Sequence, residues 1–76
     1  MLVYKIECFE KKGDRYIKSI FLDNKNINIR KILRRRKNEI IDNVKINKML
    51  KFKIEIRYNI RIPINKYDCF LSETYK

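Results

Sequence analysis

The stretch from Met49 to Ile64 has the most regular pattern in the chain, because apolar and polar positions alternate there without interruption. The apolar set is Leu50, Phe52, Ile54, Ile56, Tyr58, Ile60, Ile62 and Ile64. The intervening set is Met49, Lys51, Lys53, Glu55, Arg57, Asn59, Arg61 and Pro63. Since successive side chains of a β-strand point to opposite sides, this alternation predicts a long strand at 49–64 with one buried and one solvated side.

The predicted strand is long for a protein of this size. It would span about 50 Å when extended, whereas a globule of 76 residues is about 30 Å across. The strand must therefore bend, split into two strands, or extend past its own domain and pair with a second copy in a homodimer. Pro63, which has no backbone N–H, suits a strand end or an edge strand, and a turn near 47–48 would join residues 44–46 to its start.

An N-terminal β-hairpin is predicted over residues 2–22. Residues 2–9 alternate in the same way, and residues 16–22 are rich in the β-branched and aromatic side chains that favour strands. The connection between them contains Gly13, the one glycine of the chain, which adopts a positive φ without steric cost. Such a connection is typical of a short hairpin loop.

The periodicity changes after the polar residues 23–26. Apolar residues then recur at helical spacing, at Ile29, Ile32, Leu33 and Ile40. They predict a helix from about 28 to 37 that either stops there or continues to about 43. Residues 38–43 fit either a last helical turn or a short strand. Arg36 would lie on the apolar side of a continuous helix, so we favour a helix that ends before it.

Together these segments predict an α+β fold with the element order β-β-α-β, with one or two further short strands as an open alternative. The helix lies across one face of a small antiparallel sheet, and the whole chain, 1–76, forms a single domain. The C-terminal residues 65–76 retain enough apolar side chains to dock as a short strand or turn.

Composition excludes several classes of protein. Hydrophobic residues make up 45% and charged residues 38% of the chain, which is neither a disordered nor a membrane-spanning composition. No apolar run approaches the roughly 18 residues of a spanning helix, and the N-terminus lacks the pattern of a signal peptide. We therefore expect a cytoplasmic protein without a membrane span.

Metal, cofactor and catalytic motifs are not found in the sequence. The chain has no histidine and two cysteines, Cys8 and Cys69, so it cannot assemble a metal site from four Cys and His ligands. We expect both thiols to be reduced packing residues, with a disulfide between them as the alternative. Neither a Gly-rich phosphate loop nor a paired-carboxylate spacing occurs, so we expect no metal, no cofactor and no catalytic residue.

The net charge of +11 is confined to the middle of the chain. Residues 25–66 contain 14 Lys and Arg against three acids, whereas residues 1–24 contribute +1 and residues 67–76 contribute −1. Such an asymmetry steers polyanions toward one part of a surface. Part of the lysine content has another source, because the abundance of Ile, Lys and Asn indicates an A/T-rich genome.

The candidate polyanion-binding residues form two groups. On and after the predicted helix they are Arg30, Lys31, Arg34, Arg35, Arg36 and Lys37, and on the polar side of the predicted strand they are Lys51, Lys53, Arg57 and Arg61. Arginine suits phosphate because its planar guanidinium offers paired donors. The two groups would lie on opposite surfaces if the helix covered the apolar side of the sheet, and we favour the arginine-rich helix as the binding group.

The leading functional hypothesis is a small basic protein that binds RNA, DNA or a ribonucleoprotein, mainly through backbone phosphates. Base stacking has less support, because Phe52 and Tyr58 fall on the apolar side of the predicted strand and are expected in the core. One alternative is an inhibitor from a phage or mobile element, comparable to the small inhibitors of CRISPR effectors, that binds a host enzyme or ribonucleoprotein. A third hypothesis is a ribonuclease toxin that works without histidine. A solvated surface, an acidic protein partner and a membrane surface are the remaining explanations of the charge.

Overall fold

A four-stranded antiparallel sheet covered on one side by helices makes up the computed structural model of the chain, which describes residues 2–22, 29–34 and 40–75. In chain order the elements are β1 (Leu2–Glu10), β2 (Tyr16–Leu22), α1 (Ile29–Leu33), β3 (Val44–Lys45), α2 (Lys48–Tyr58) and β4 (Tyr67–Tyr75). The strands lie in the order β2-β1-β4-β3. The α+β class predicted from the sequence is therefore confirmed, with an antiparallel sheet and one helix of substantial length packed against it.

The N-terminal hairpin has the predicted form. β1 and β2 pair antiparallel, with Tyr4 opposite Leu22 and Ile6 opposite Ile20. Gly13 adopts a φ of +89° in the connecting turn, which is the conformation that glycine permits most readily. The Glu10 backbone N–H donates to the Arg15 carbonyl at 2.9 Å and closes the loop.

The C-terminal segment has a larger role than predicted. β4 pairs with β1 along its whole length, from Leu2 opposite Tyr75 to Glu10 opposite Tyr67. It therefore lies in the centre of the sheet, with β3 at its other edge. The prediction of a short docked strand or turn therefore underestimated this segment. The nine residues of β4 supply both the main pairing of β1 and part of the core.

The hydrophobic core lies on one side of the sheet and includes residues from both helices. Ile6 of β1 and Leu71 of β4 are adjacent and fully buried. Ile29 of α1 and Ile54 of α2 are fully buried in the same cluster. Because one cluster takes side chains from both helices, α1 and α2 lie on the same side of the sheet, where they also contact each other.

The predicted long strand at 49–64 is wrong, because its first part is the helix α2. The Asn47 side chain caps this helix by accepting a hydrogen bond from the Leu50 backbone N–H at 2.8 Å. Asn59 ends it in the left-handed conformation, with its N–H donating to the Glu55 carbonyl. The described residues extend over 34 Å along their longest axis, which is too short for a straight strand of about 50 Å.

The remainder of the predicted strand is a connection between α2 and β4. Ile62 is buried in it, and the Tyr67 backbone N–H donates to the Pro63 carbonyl in a turn that leads into β4. The long strand was the premise for a homodimer, which was one of three alternatives, and for the turn near 47–48, so both lose that premise.

The predicted basic helix is shorter than 28–37 and does not continue to 43. α1 ends at Leu33, and Arg34 adopts a φ of +56°, a left-handed conformation that stops helical hydrogen bonding. Residues 40–43 are not helical, and Ile41 rather than Ile40 is buried. Two hydrogen bonds to Glu73 hold the Ile41 backbone beside β4: its carbonyl accepts from the Glu73 N–H, and its N–H donates to the Glu73 carboxylate.

Candidate polyanion-binding surface

The orientation of α2 determines which of its side chains reach solvent. Ile54 is fully buried, and Leu50 and Tyr58 pack against the core from the turns before and after it. These three residues are four apart in sequence, which is the spacing of one side of a helix. Burial raises the pKa of the Tyr58 hydroxyl above its ordinary value of 10.0, consistent with a position close to the sheet.

The opposite side of α2 carries three exposed apolar side chains. Met49, Phe52 and Ile56 are 68%, 64% and 63% exposed, and their spacing of three and four residues places them in one line. We call this line the outer stripe. It exists because a period-two sequence wound into a helix distributes its apolar residues over both sides, so that some of them face water. The expectation that Phe52 lies in the core is therefore wrong.

Several cations of α2 have no acidic partner. Lys48, Lys53 and Arg57 have no carboxylate within ion-pair distance among the described residues. Lys51 differs, because its Nζ lies 2.8 Å from Oε1 of Glu55. Lys51 is therefore paired within the helix. Of the four candidate residues predicted between 49 and 64, it is the least available for a phosphate.

Glu55 links α2 to the connection that follows it. Besides the Lys51 ammonium, it accepts a hydrogen bond from the Ile62 backbone N–H at 2.6 Å. Both bonds stabilise the carboxylate and hold the pKa of Glu55 below its ordinary value of 4.5, and the positive charge of Arg61 acts in the same direction. Arg61 is itself exposed and lies near this end of the helix.

The predicted candidates on the first helix separate into different roles. Arg30 does not point freely into solvent, because its Nη2 donates to both carboxylate oxygens of Glu73 at 2.8 and 2.9 Å. Lys31 and Arg34 are exposed. The remaining predicted residues, Arg35, Arg36 and Lys37, lie outside the described residues.

The unpaired cations of both helices belong to one layer of the molecule. We call the solvent side of this layer the helical face. Its described cations are Lys31, Lys48, Lys53 and Arg57 of the helices, with Arg34 and Arg61, which follow them in the chain. The possibility that the two basic groups lie on opposite surfaces depended on a strand at 49–64. Residues 48–58 are a helix instead, and α1 and α2 lie on the same side of the sheet.

The other side of the sheet, here called the open sheet face, has a different charge pattern. The ammonium of Lys5 lies 3.8 Å from the Glu7 carboxylate. Asp68 receives Lys11 at 3.4 Å and Lys45 at 4.0 Å. Each of these three lysines has a carboxylate beside it, although Lys11 and Lys45 share Asp68, so the two carboxylates offset most of the positive charge of the group.

Three aromatic rings pack together on the open sheet face. The Phe9 ring lies 5.8 Å from that of Tyr16 and 5.9 Å from that of Phe70, both in edge-on geometry. The Tyr16 hydroxyl is 2.7 Å from Ser19 Oγ. Edge-on contacts use part of the ring surface for packing, and the lysines nearby are already paired with Glu7 and Asp68, so they attract phosphate less than unpaired cations do.

The two cysteines are neighbours in the core. Cys8 and Cys69 face each other across β1 and β4 with their Sγ atoms 3.5 Å apart, and both are free thiols. Burial, together with the neighbouring Cys8, raises the pKa of the Cys69 thiol to about 12. The protonated thiol is a poor nucleophile, which fits the predicted packing role.

No group of three or more acidic, Cys or His side chains within residues 2–22, 29–34 and 40–75 is arranged to hold a metal ion. Neither helix in these residues is long and apolar enough to cross a bilayer.

Sequence reasoning missed Lys48 and the three residues of the outer stripe. The signal that could have found them is a helix signature inside the alternating segment: an Asn cap at Asn47, a Lys51–Glu55 pair four residues apart, and Asn59 at the end. Comparison with protein-family models, with curated proteins and with solved structures finds no match, so the residues and their geometry alone carry the functional argument.

Proposed function

We propose that the chain is a small basic protein that binds nucleic acid or a nucleoprotein complex, with the phosphate backbone lying against the helical face. The observation that carries this proposal is the absence of carboxylate partners for Lys48, Lys53 and Arg57 among the described residues. A cation without a partner in its own protein exchanges only water and counterions for a phosphate.

The acids of the helical layer support the same proposal. Glu55 is neutralised by Lys51, and Glu73 is neutralised by Arg30. These two carboxylates are therefore already paired, and they oppose an approaching polyanion weakly. Arg57 and Arg61 add guanidinium groups, which give phosphate two donors each.

Phosphate contact predicts a specific dependence on salt. If four to six cations of the helical face each neutralise one phosphate, the logarithm of the affinity falls with the logarithm of salt concentration. The expected slope is about −4 to −5 on a DNA duplex and about −3 to −4 on a single strand. Fluorescence anisotropy with a labelled DNA duplex, its separated strand and the matching RNA would measure this slope. An absence of binding to all three at low salt would contradict the proposal.

The inhibitor and toxin hypotheses rest on the sequence alone. No contact or charge arrangement among the described residues favours either hypothesis over nucleic-acid binding.

A further inference from the structure

We propose a second binding activity, beyond nucleic acid, for the outer stripe of α2: it docks the protein onto the surface of an anionic lipid bilayer. In this arrangement Met49, Phe52 and Ile56 enter the boundary between headgroups and acyl chains. Lys48 and Lys53 then lie at the level of the lipid phosphates. The ligand is defined by its chemistry, as a phosphate-bearing surface with an apolar layer beneath it.

The side chains of α2 are arranged around the helix in the way that binding to a bilayer surface requires. At about 100° per residue, the three apolar side chains lie on the crest of the helix, directly opposite the buried Ile54. Lys48 lies on one flank of the crest and Lys53 on the other, with Arg57 further round. A helix that lies in a membrane interface likewise places apolar residues deepest and cations at their sides.

Exposure and charge provide two independent arguments. Each side chain of the outer stripe is more than 60% exposed, so water contacts a continuous apolar line that the fold leaves uncovered. The cations beside it have no described carboxylate partners, and the chain as a whole carries +11. Anionic headgroups complement this charge and attract basic residues near the bilayer surface.

Other occupants match the outer stripe less well. A phosphate backbone offers partners for Lys48 and Lys53 but leaves Met49 and Ile56 in water. A second copy of the chain would bring another charge of +11 against the first, which opposes close contact. An acidic protein would need a groove shaped to this crest, whereas a fluid bilayer accommodates a convex helix without a preformed shape.

The absence of tryptophan from the chain allows a direct test. Phe52→Trp places a single fluorescent reporter in the outer stripe, and Tyr75→Trp places one at a control position that is 81% exposed at the end of β4. Each variant is mixed with vesicles of pure phosphatidylcholine and with vesicles containing about one third phosphatidylglycerol. We expect the emission of the reporter at position 52 to shift to shorter wavelength with the anionic vesicles only, and the reporter at position 75 not to shift.

Three results would overturn the proposal: no shift at position 52 with anionic vesicles, a shift with a single-stranded oligonucleotide but not with vesicles, or a shift on raising the protein concentration alone. The first would leave an acidic protein as the occupant, the second nucleic acid and the third a second copy. Because vesicles contain no nucleic acid, a negative vesicle result does not affect the proposal of nucleic-acid binding. A negative oligonucleotide result likewise does not affect the proposal of bilayer binding.

A loss-of-contact variant gives a second readout. Phe52→Ser removes the central apolar side chain without changing charge, and Tyr75→Ser is its exposed aromatic control. We expect vesicle flotation to show the partition of Phe52→Ser reduced about tenfold, with oligonucleotide affinity unchanged and with circular dichroism like that of the unaltered protein. Equal partition of Phe52→Ser and Tyr75→Ser would show that charge alone attracts the protein, and would overturn the proposed insertion.

Discussion

The helical face and the open sheet face of this protein carry similar side chains in opposite arrangements. On the open sheet face, Lys5 and Lys11 each lie beside a carboxylate, and Phe9 packs between two other rings. On the helical face, Lys53 has no described partner and Phe52 is largely exposed. Lys5, Lys11 and Phe9 are thus engaged within the protein, whereas Lys53 and Phe52 have no comparable contacts among the described residues.

The difference follows from where the acids fall in the sequence. Glu7 lies two residues after Lys5 in β1 and pairs with it, and Asp68 of β4 lies beside Lys11 and Lys45. The segment 25–66 has three acids for 14 bases, and of its described cations Lys48, Lys53 and Arg57 have no carboxylate within ion-pair distance among the described residues. Net charge alone therefore does not locate a binding surface; the positions of the acids decide which cations remain available.

The largest expected effect distinguishes the inner and outer sides of α2. Ile54→Ala empties a fully buried position and should lower the free energy of unfolding by about 3 kcal/mol. Ile56→Ala removes the same atoms from an exposed position and should change it by less than about 0.5 kcal/mol. Denaturant unfolding of the two variants measures both values. Similar losses would indicate that both residues lie on one buried side, as in a strand, and would refute the helical face.

The second prediction distinguishes an arginine that stabilises the fold, Arg30, from one that is exposed to solvent, Arg34. Glu73→Gln weakens the bonds to Arg30 and to the Ile41 backbone, and should cost about 2 kcal/mol, the typical contribution of a hydrogen bond to a charged group. Arg34→Gln alters an exposed side chain and should change stability by less than about 0.5 kcal/mol. Thermal unfolding compares them. A greater loss in Arg34→Gln would show that the two arginines have been assigned the wrong roles.

The third and smallest expected effect is on the stability of the protein at low pH. The folded pKa of Glu55 lies below its ordinary value of 4.5, so its contribution to stability is fully present above that value and is lost as pH falls through the folded pKa. We expect Glu55→Gln to be less stable than the unaltered protein at neutral pH and to lose less stability on acidification below about 4.5. Denaturant unfolding at several pH values measures this difference. If the free energies of unfolding of the two proteins changed equally with pH, the bonds from Glu55 to Lys51 and Ile62 would contribute nothing to the pH dependence of stability.

The local parts of the fold could be predicted from the sequence. The hairpin depends on neighbouring residues and on Gly13, whose conformational freedom is evident from its type. The end of α1 before Arg36 was also predictable, because a cation in the middle of an apolar side disfavours a longer helix.

The remaining parts depend on contacts between distant residues. Period two at 49–64 favours a strand, but β4 occupies the place beside β1 that such a strand would need. Ile54 is buried in either structure, whereas Phe52 and Ile56 are exposed only in a helix. The role of Arg30 depends on its ion pair with Glu73, which is 43 residues away in the sequence. The residues around either position do not predict that pair.

The most direct test of the comparison between the two faces is the binding of charge-reversed variants to a labelled oligonucleotide at low salt. Lys53→Glu with Arg57→Glu alters the helical face, and Lys11→Glu with Lys45→Glu alters the open sheet face by the same net charge. We predict that the first pair weakens binding about a hundredfold and that the second weakens it less than about threefold. Equal losses would show that total charge, and not the helical face, governs binding, and would contradict this account.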